Sequence, residues 1–503
     1  MSVLNTVISW FMKKRMHQIE LFLKYPIEVQ EEVRRKLINT ARHTEWGLKY
    51  KYADIRTAAD FARQVPVSSY EALQPYIDRI MRGEQYLLWP SEIRWFAKSS
   101  GTTNDRSKFI PVSEEALEDC HYKGAKDLLS MFCYLQPETQ IFTGKSLTIG
   151  GSHQISQLNE EVYYGDLSAV LMQNLPIWAE FIRTPELSVA LLEHWEEKAE
   201  KIGLETMHQD VTSLAGVPTW LIVLFKWMLE QSGKNHMHEI WPNLEVYFHG
   251  GVSFNPYRDQ FRSMLPADGM RYMETYNASE GFFGMSDSFD SDEMLLMLDY
   301  GIYFEFMDPE DIGQPFPKTC ALSEVNTQQN YAVIISTNAG LWRYLIGDTI
   351  RFTNLNPFRF KITGRTKHFI NAFGEELIIE NAEAALARAC EQTGARIRDY
   401  TAGPKFLTTG EKGAHEWLIE FEQLPDKQEL FNRILDERLR ELNSDYDAKR
   451  QKNLALDAPI VHVMPDGTFY GWMKKRGKLG GQNKVPRLAN DRKFIDDILA
   501  FSK

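Results

Sequence analysis

Between Ser99 and Pro111 the chain reads SSGTTNDRSKFIP, with hydroxyls on Ser99, Ser100, Thr102 and Thr103 around Gly101 and a cation at Lys108. Clustered hydroxyls and backbone N–H groups can converge on an anion such as a polyphosphate. The stretch lacks the Gly-Lys-Ser/Thr triplet that opens a helix in the Walker pattern. A polar Ser/Thr turn between strands explains the same residues, so this stretch leaves both readings open.

Four further stretches carry chemistry-bearing residues. In FHGGVSFNPY, Gly250 and Gly251 follow an apolar run, where bare backbone can receive a flat ring. In ETYNASEGFFG, Tyr276 offers an aromatic face, Asn277 an amide and Ser279 a hydroxyl, and Glu280 a carboxylate of the kind Mg²⁺ accepts. In LWRYLIGDTIRF, Asp348 after Gly347 can take both hydrogens of a ribose diol. Near the end, WMKKRGKLGGQNKVPR holds Lys474, Lys475, Arg476, Lys478, Lys484 and Arg487 with no acidic residue. Strand-ending turns, a turn aspartate and a solvated basic loop account for these stretches when each is taken alone.

These residues must be positioned by a large framework. The chain has 503 residues, 43% hydrophobic and 25% charged, which calls for at least two domains with ample cores. With 57 basic and 69 acidic residues, its net charge of −12 excludes a general nucleic-acid binder and leaves room for a local nucleotide site. Cys120, Cys133, Cys320 and Cys390 have neither metal-like spacing nor a disulfide framework, which fits a reducing cytoplasm. The N-terminal MSVLNTVISWFMKKRM puts its apolar run before its basic cluster, the reverse of a secretory signal, and reads as an amphipathic helix. The run VPTWLIVLFKWML is interrupted by Lys226 and is shorter than the roughly 20 residues of a bilayer span. It reads as a buried helix, with no membrane partner expected.

Apolar spacing predicts helices through residue 93, with Pro26 starting one of them. Beyond Arg94 strands (SLTIGG, LEVYFHGG, YAVIIST) alternate with helices (LSAVLMQNLPIWAEFIR, ELSVALLEHWEEKAEKI), which implies a large α/β domain. After GRTKHFINAFGEELIIENAEAAL a smaller α+β unit follows, with helices at EAALARACEQTG and KQELFNRILDERLREL and strands at EWLIEFE and PIVHVM. The expected division is 1–362 and 363–503, with Gly364 as a candidate hinge.

Taken in order, these motifs resemble the adenylate-forming superfamily, and more closely its auxin-responsive acyl-acid amido synthetases, the plant Gretchen Hagen group and its bacterial relatives. The matching positions are Ser99, Ser100, Gly101, Thr102, Thr103, Lys108 and Pro111; Tyr276, Ser279, Glu280 and Gly281; and Gln482, Lys484, Pro486 and Arg487. The resemblance implies a large N-terminal adenylating domain, a smaller mobile C-terminal domain, and ATP and Mg²⁺ as cofactors. It implies activation of a small carboxylic acid as acyl-adenylate and transfer to an amine or amino acid. Under it, the Ser/Thr loop would hold the β and γ phosphates and Glu280 would hold Mg²⁺. Lys484 would approach the α-phosphate, with Gly250, Gly251, Tyr276, Asn277, Asp348 and Arg365 completing the nucleotide site. Asn104 and Asp105 replace glycines common in the family, GRTKH departs from the usual hinge and leaves the role of His368 open, and no stretch matches the family's acyl-acid pocket. Thioester formation and a non-catalytic nucleotide-binding protein are the rival readings.

Overall fold

The computed structural model describes residues 15–502 apart from 103–105, 151–154, 160, 176, 193–194, 253, 255–256, 315, 366–368, 408–411, 452–455 and 477–485. For 100–102, 106–107, 177–179, 195–196, 219, 365 and 380 only the backbone is described. The expected N-terminal amphipathic helix falls mainly on 1–14, outside the described residues.

The helical lead-in is as the apolar spacing predicts, with helices Pro26–Ala41, Glu45–Lys49, Ala58–Gln64 and Tyr70–Met81. Pro26 sits in the first turn, where its missing N–H leaves no bond unmade. These helices are packed onto the main sheet. Buried Gln30 donates to the carbonyls of Leu298 and Ile302 at 2.8 and 2.9 Å and accepts from Phe304 N–H at 2.9 Å.

The main sheet has twelve strands. Arg183–Thr184, Lys145–Thr148, Val211–Gly216, Val246–Gly250 and Arg271–Ala278 run parallel in that order. From Gly281–Ser286 onward the neighbours are antiparallel: Met294–Leu296, Phe358–Arg365, Tyr344–Leu355, Asn330–Thr337, Ile302–Met307 and Thr319–Ala321. The parallel strands all end on one edge, so Gly150, Gly216, Gly250 and the Ser279–Glu280 turn are brought together there. In α/β sheets that edge is where ligands bind. A smaller sheet beside it contains the hairpin Trp95–Thr102 and Arg106–Val112.

The C-terminal unit packs helices Ile379–Thr393 and Gln428–Leu442 against a sheet of Arg396–Lys405, Ala414–Gln423 and Ile460–Met464. One hydrophobic core joins Leu147, Leu214 and Tyr247 of the parallel block to Phe373, Trp417 and Phe431 of this unit. The mixed α/β architecture with a smaller α+β C-terminal part is the one expected from the sequence.

Two helices expected to be continuous are divided. LSAVLMQNLPIWAEFIR forms Leu167–Gln173 and Ile177–Ile182, and its end turns into the strand Arg183–Thr184. Pro176 has no N–H to continue the first helix. ELSVALLEHWEEKAEKI forms Leu187–Ala190 and Trp195–Thr206. The run around Lys226 is a buried helix, Pro218–Ser232, and among the described residues no helix is long and apolar enough to cross a membrane. The four cysteines form no disulfide.

Gly364 lies within the ladder, opposite Thr349, with φ +151°, and the strand continues to Arg365. In this arrangement Gly364 is therefore held by the sheet. A proline there would remove an N–H and demand an incompatible φ, breaking the strand rather than stiffening a joint.

Candidate active site

The Ser/Thr stretch is the tip of a β-hairpin, with Ser99 opposite Lys108 and Thr102 opposite Arg106. Ser100, Gly101 and Thr102 belong to its first strand; Thr103, with Asn104 and Asp105, lies outside the described residues. Its described cation, Lys108, reaches across to the main sheet, donating to the Tyr344 hydroxyl at 3.3 Å. The Lys108 ammonium also lies 5.8 Å from the Tyr70 ring centroid.

Tyr344 is the node of the site. It is fully buried, and burial, with the charges of Glu280, Glu71 and Glu376 adding, raises its phenol well above the ordinary value. The hairpin cation thus bonds the phenol on which the Glu280 charge acts, although Lys108, Glu280 and Tyr344 are far apart in sequence. Glu280 and Ser279 occupy the turn joining Arg271–Ala278 to Gly281–Ser286.

Arg343 fixes Tyr344 from behind. Its buried guanidinium donates to Glu305 at 2.8 and 2.9 Å and to the Ala62 and Val65 carbonyls at 2.8 and 2.5 Å. A buried charge persists only when so paired. Arg343 and Tyr344 were not singled out in the sequence, although a lone charge inside the apolar run LWRYLI is the signal that could have found them.

The Tyr276 hydroxyl donates to Asp348 Oδ2 at 2.5 Å, joining motifs 72 positions apart. Asp348 is in the strand Tyr344–Leu355 rather than in a turn, opposite Arg365, and is 7% exposed. Tyr276 is equally buried, its ring centroid 4.8 Å from that of Phe283. A strand alternates faces, so Asn277 points away from Tyr276, toward His121. The structure therefore does not bring Asn277 together with the Tyr276–Asp348 pair.

Gly250 ends its strand against Thr275, whose carbonyl oxygen would lie 2.5 Å from an added Cβ, so no side chain fits. Gly251 follows with φ +79° and accepts from Asn371 Nδ2 at 3.3 Å. Beside this turn opens a cavity of about 520 Å³ lined by His249, Arg258, Arg271, Tyr272 and Glu274. Burial lowers His249 to about 3 and raises Glu274 to about 7.

The Glu274 shift carries a stability prediction. Between its ordinary pKa of 4.5 and about 7 the folded chain keeps a proton that the unfolded chain has released, so stability falls as pH rises through that window. By pH 8 the ionised carboxylate costs on the order of 3 kcal/mol. Glu274→Gln should therefore raise the urea midpoint at pH 8 and leave it nearly unchanged at pH 5. An equal shift at both pH values would show that ionisation is not the cause.

Two buried lysines line the seam between the parallel edge and the C-terminal unit. Lys198 donates to the Gly150 carbonyl at 3.1 Å, and Lys449 lies 3.6 Å from the Trp220 ring centroid. Burial lowers both to about 8. Nothing in the local sequence distinguishes them from surface lysines.

Lys484 and His368 lie outside the described residues, and only the backbone of Arg365 is described. The segment just after Lys484 is anchored: Thr401 Oγ1 donates to the Pro486 carbonyl at 2.6 Å, and Ala402 N–H to that of Arg487 at 2.9 Å. Among the described residues no group of three or more metal-ligating side chains is present.

With hairpin, strand-end turns and Tyr276–Asp348 converging on one edge, comparison with known proteins is informative. The chain matches the GH3 family N-terminal domain over residues 15–270, the central domain over 295–365 and the C-terminal domain over 380–493. The chain belongs to the GH3 family. The indole-3-acetic acid-amido synthetase GH3.3 of Arabidopsis thaliana is 23% identical, covering 91% of this chain and 89% of its own. The 4-substituted benzoates-glutamate ligase GH3.12 of the same plant is 22% identical, covering 93% of each. The solved structure of the GH3.15 acyl acid amido synthetase superposes with a TM-score of 0.61 at 17% identity, covering 97% of this chain and 95% of that one. The family read from the motifs is thus borne out, and the GH3 domains account for both units of the fold.

Proposed function

We propose that this GH3 protein activates a carboxylic acid with ATP as an acyl-adenylate and transfers the acyl group to an amine, an amino acid, as an amide. The observation that carries this reading is the GH3 match along nearly the whole chain. The relatives it resembles are named as amido synthetases and an acid–glutamate ligase, which favours an amide over a thioester product.

A carboxylate is a poor electrophile. Its oxygen attacks the α-phosphorus of ATP and pyrophosphate leaves; an amine then attacks the acyl carbon and AMP leaves. The protein must stabilise charge building on the phosphates with preorganised donors. Ser99, Ser100, Gly101, Thr102 and Thr103 would hold the β and γ phosphates, with Lys108 supplying positive charge beside them. Tyr276, Gly250 and Gly251 would flank the base, Asp348 and Arg365 the ribose, and Lys484 the α-phosphate. The buried Asp348 carboxylate, positioned by the Tyr276 hydroxyl, supports the ribose role: it is a preset acceptor, as a diol requires.

Glu280 would hold Mg²⁺. One carboxylate at the edge suits a hard cation that takes its remaining ligands from waters and phosphate oxygens, where it would neutralise phosphate charge. Glu280→Gln should raise the magnesium concentration for half-maximal pyrophosphate release several-fold, since it removes a charged ligand and keeps the shape. An unchanged magnesium dependence would place the ion elsewhere.

The working division is 1–362 and 363–503. The strand ending at Arg365, and the family domains ending at 365 and resuming at 380, support a joint a few residues further on, after 365. We place the protein in the cytoplasm on its disulfide-free cysteines. The testing experiment is pyrophosphate release with ATP and Mg²⁺ across a panel of carboxylic acids, with and without amino acids. Acid-dependent release, and amide formation only when an amino acid is added, is the expected result; release with no acid dependence would overturn the reading.

A further inference from the structure

A tight turn in the C-terminal unit, residues 371–376, lies against the end of the Gly250 strand. Glu376 has φ +36°, in the left-handed region that side-chain-bearing residues rarely adopt. Such strain persists only where surrounding structure imposes it. Here it is imposed from several directions. Asn371 Oδ1 accepts from Glu376 N–H at 3.1 Å while Asn371 Nδ2 donates to the Gly251 carbonyl at 3.3 Å, so one side chain ties the turn to the end of the Gly250 strand. The Tyr257 hydroxyl donates to the Ala372 carbonyl at 2.5 Å, and Asn443 Nδ2 to the carbonyls of Glu375 and Glu376 at 2.8 and 3.2 Å.

The neighbouring carboxylate lies inside the unit. Glu375 is fully buried, accepting from Phe373 N–H at 2.7 Å and lying 2.8 Å from His415 Nε2. Glu376 is half-buried, and its charge acts on Tyr344, the phenol that Lys108 bonds and on which the Glu280 charge also acts. The turn thus lies, from the other unit of the chain, at the edge where the acyl-adenylate would form, and the Glu376 charge acts there.

The second half-reaction needs such a group. Near neutral pH an amino acid carries an ammonium, which has no lone pair to attack with. We infer that Glu376 binds the incoming ammonium and takes one proton from it. The freed lone pair forms the C–N bond, the acyl C–O bond breaks with its electron pair going to AMP, and the second proton is lost to water as the amide forms. This rests on the acyl-adenylate reading above.

Glu376→Gln, compared with the unaltered chain, tests it with an acid the protein accepts. Acid-dependent pyrophosphate exchange reports adenylation. Product formation is measured with an amino acid and with hydroxylamine, which is largely unprotonated at neutral pH and needs no base. The expected result is a loss of about 10²–10³-fold in amino-acid amide formation, with hydroxamate formation and exchange lowered far less. Equal losses with both nucleophiles, or no loss with either, would overturn the role. If Glu376→Gln does not fold, Glu376→Asn, a residue type tolerant of positive φ, takes the same test. Absence of acid-dependent exchange in the unaltered protein would instead remove the adenylation reading, and this inference with it.

Discussion

Lys484→Ala should slow pyrophosphate release at saturating ATP by about 10²–10³-fold, the usual consequence of removing one preorganised donor from a developing charge. ATP affinity and melting temperature should change little, because the lysine acts mainly on transition-state charge. Just after this lysine, Pro486 and Arg487 are bonded to the strand Arg396–Lys405 of the C-terminal unit. Stopped-flow or coupled pyrophosphate assays would measure the rate, and equilibrium nucleotide binding the affinity. Unchanged release would return the basic run to a solvated loop.

Asp348→Ala should weaken ATP binding by about 10²-fold, because two charge-assisted hydrogen bonds to a ribose diol contribute roughly 1.5–3 kcal/mol each before desolvation is offset. Tyr276→Phe should cost less, since it removes the hydroxyl that orients the carboxylate and keeps the ring. The two residues share a 2.5 Å hydrogen bond, so their effects should be non-additive. The double variant should bind ATP little worse than Asp348→Ala alone. Full additivity in KM for ATP would mean that Tyr276 acts independently of Asp348.

The sequence made the site legible where chemistry and short-range geometry coincide. Ser99 to Pro111 is recognisable because a glycine among hydroxyls is an unusual local composition, and the alternating strands and helices before Gly250 follow from hydrophobic period. The contacts that bind these motifs together were not legible. The bond between Tyr276 and Asp348 depends on strand order across the sheet, which periodicity does not encode. Tyr344 and Arg343 were hidden in an apolar run whose partners, Lys108 and Glu305, come from distant strands. Asn277 shows the opposite failure: adjacency in the motif suggested a shared role, and strand alternation turns it to the other face. Gly364 looked like a free joint because glycine permits flexing, yet its place in a ladder is set by a pairing the local sequence does not reveal.

The most direct test of the account is the fate of the carboxylate oxygen. With an accepted acid labelled with ¹⁸O in its carboxylate, and ATP, Mg²⁺ and an amino acid present, mass spectrometry of the nucleotide product should find AMP carrying one ¹⁸O, because the acid oxygen joined to the α-phosphorus leaves with AMP when the amine attacks. ADP formation with the label in inorganic phosphate, or AMP without label alongside amide product, would contradict an acyl-adenylate intermediate.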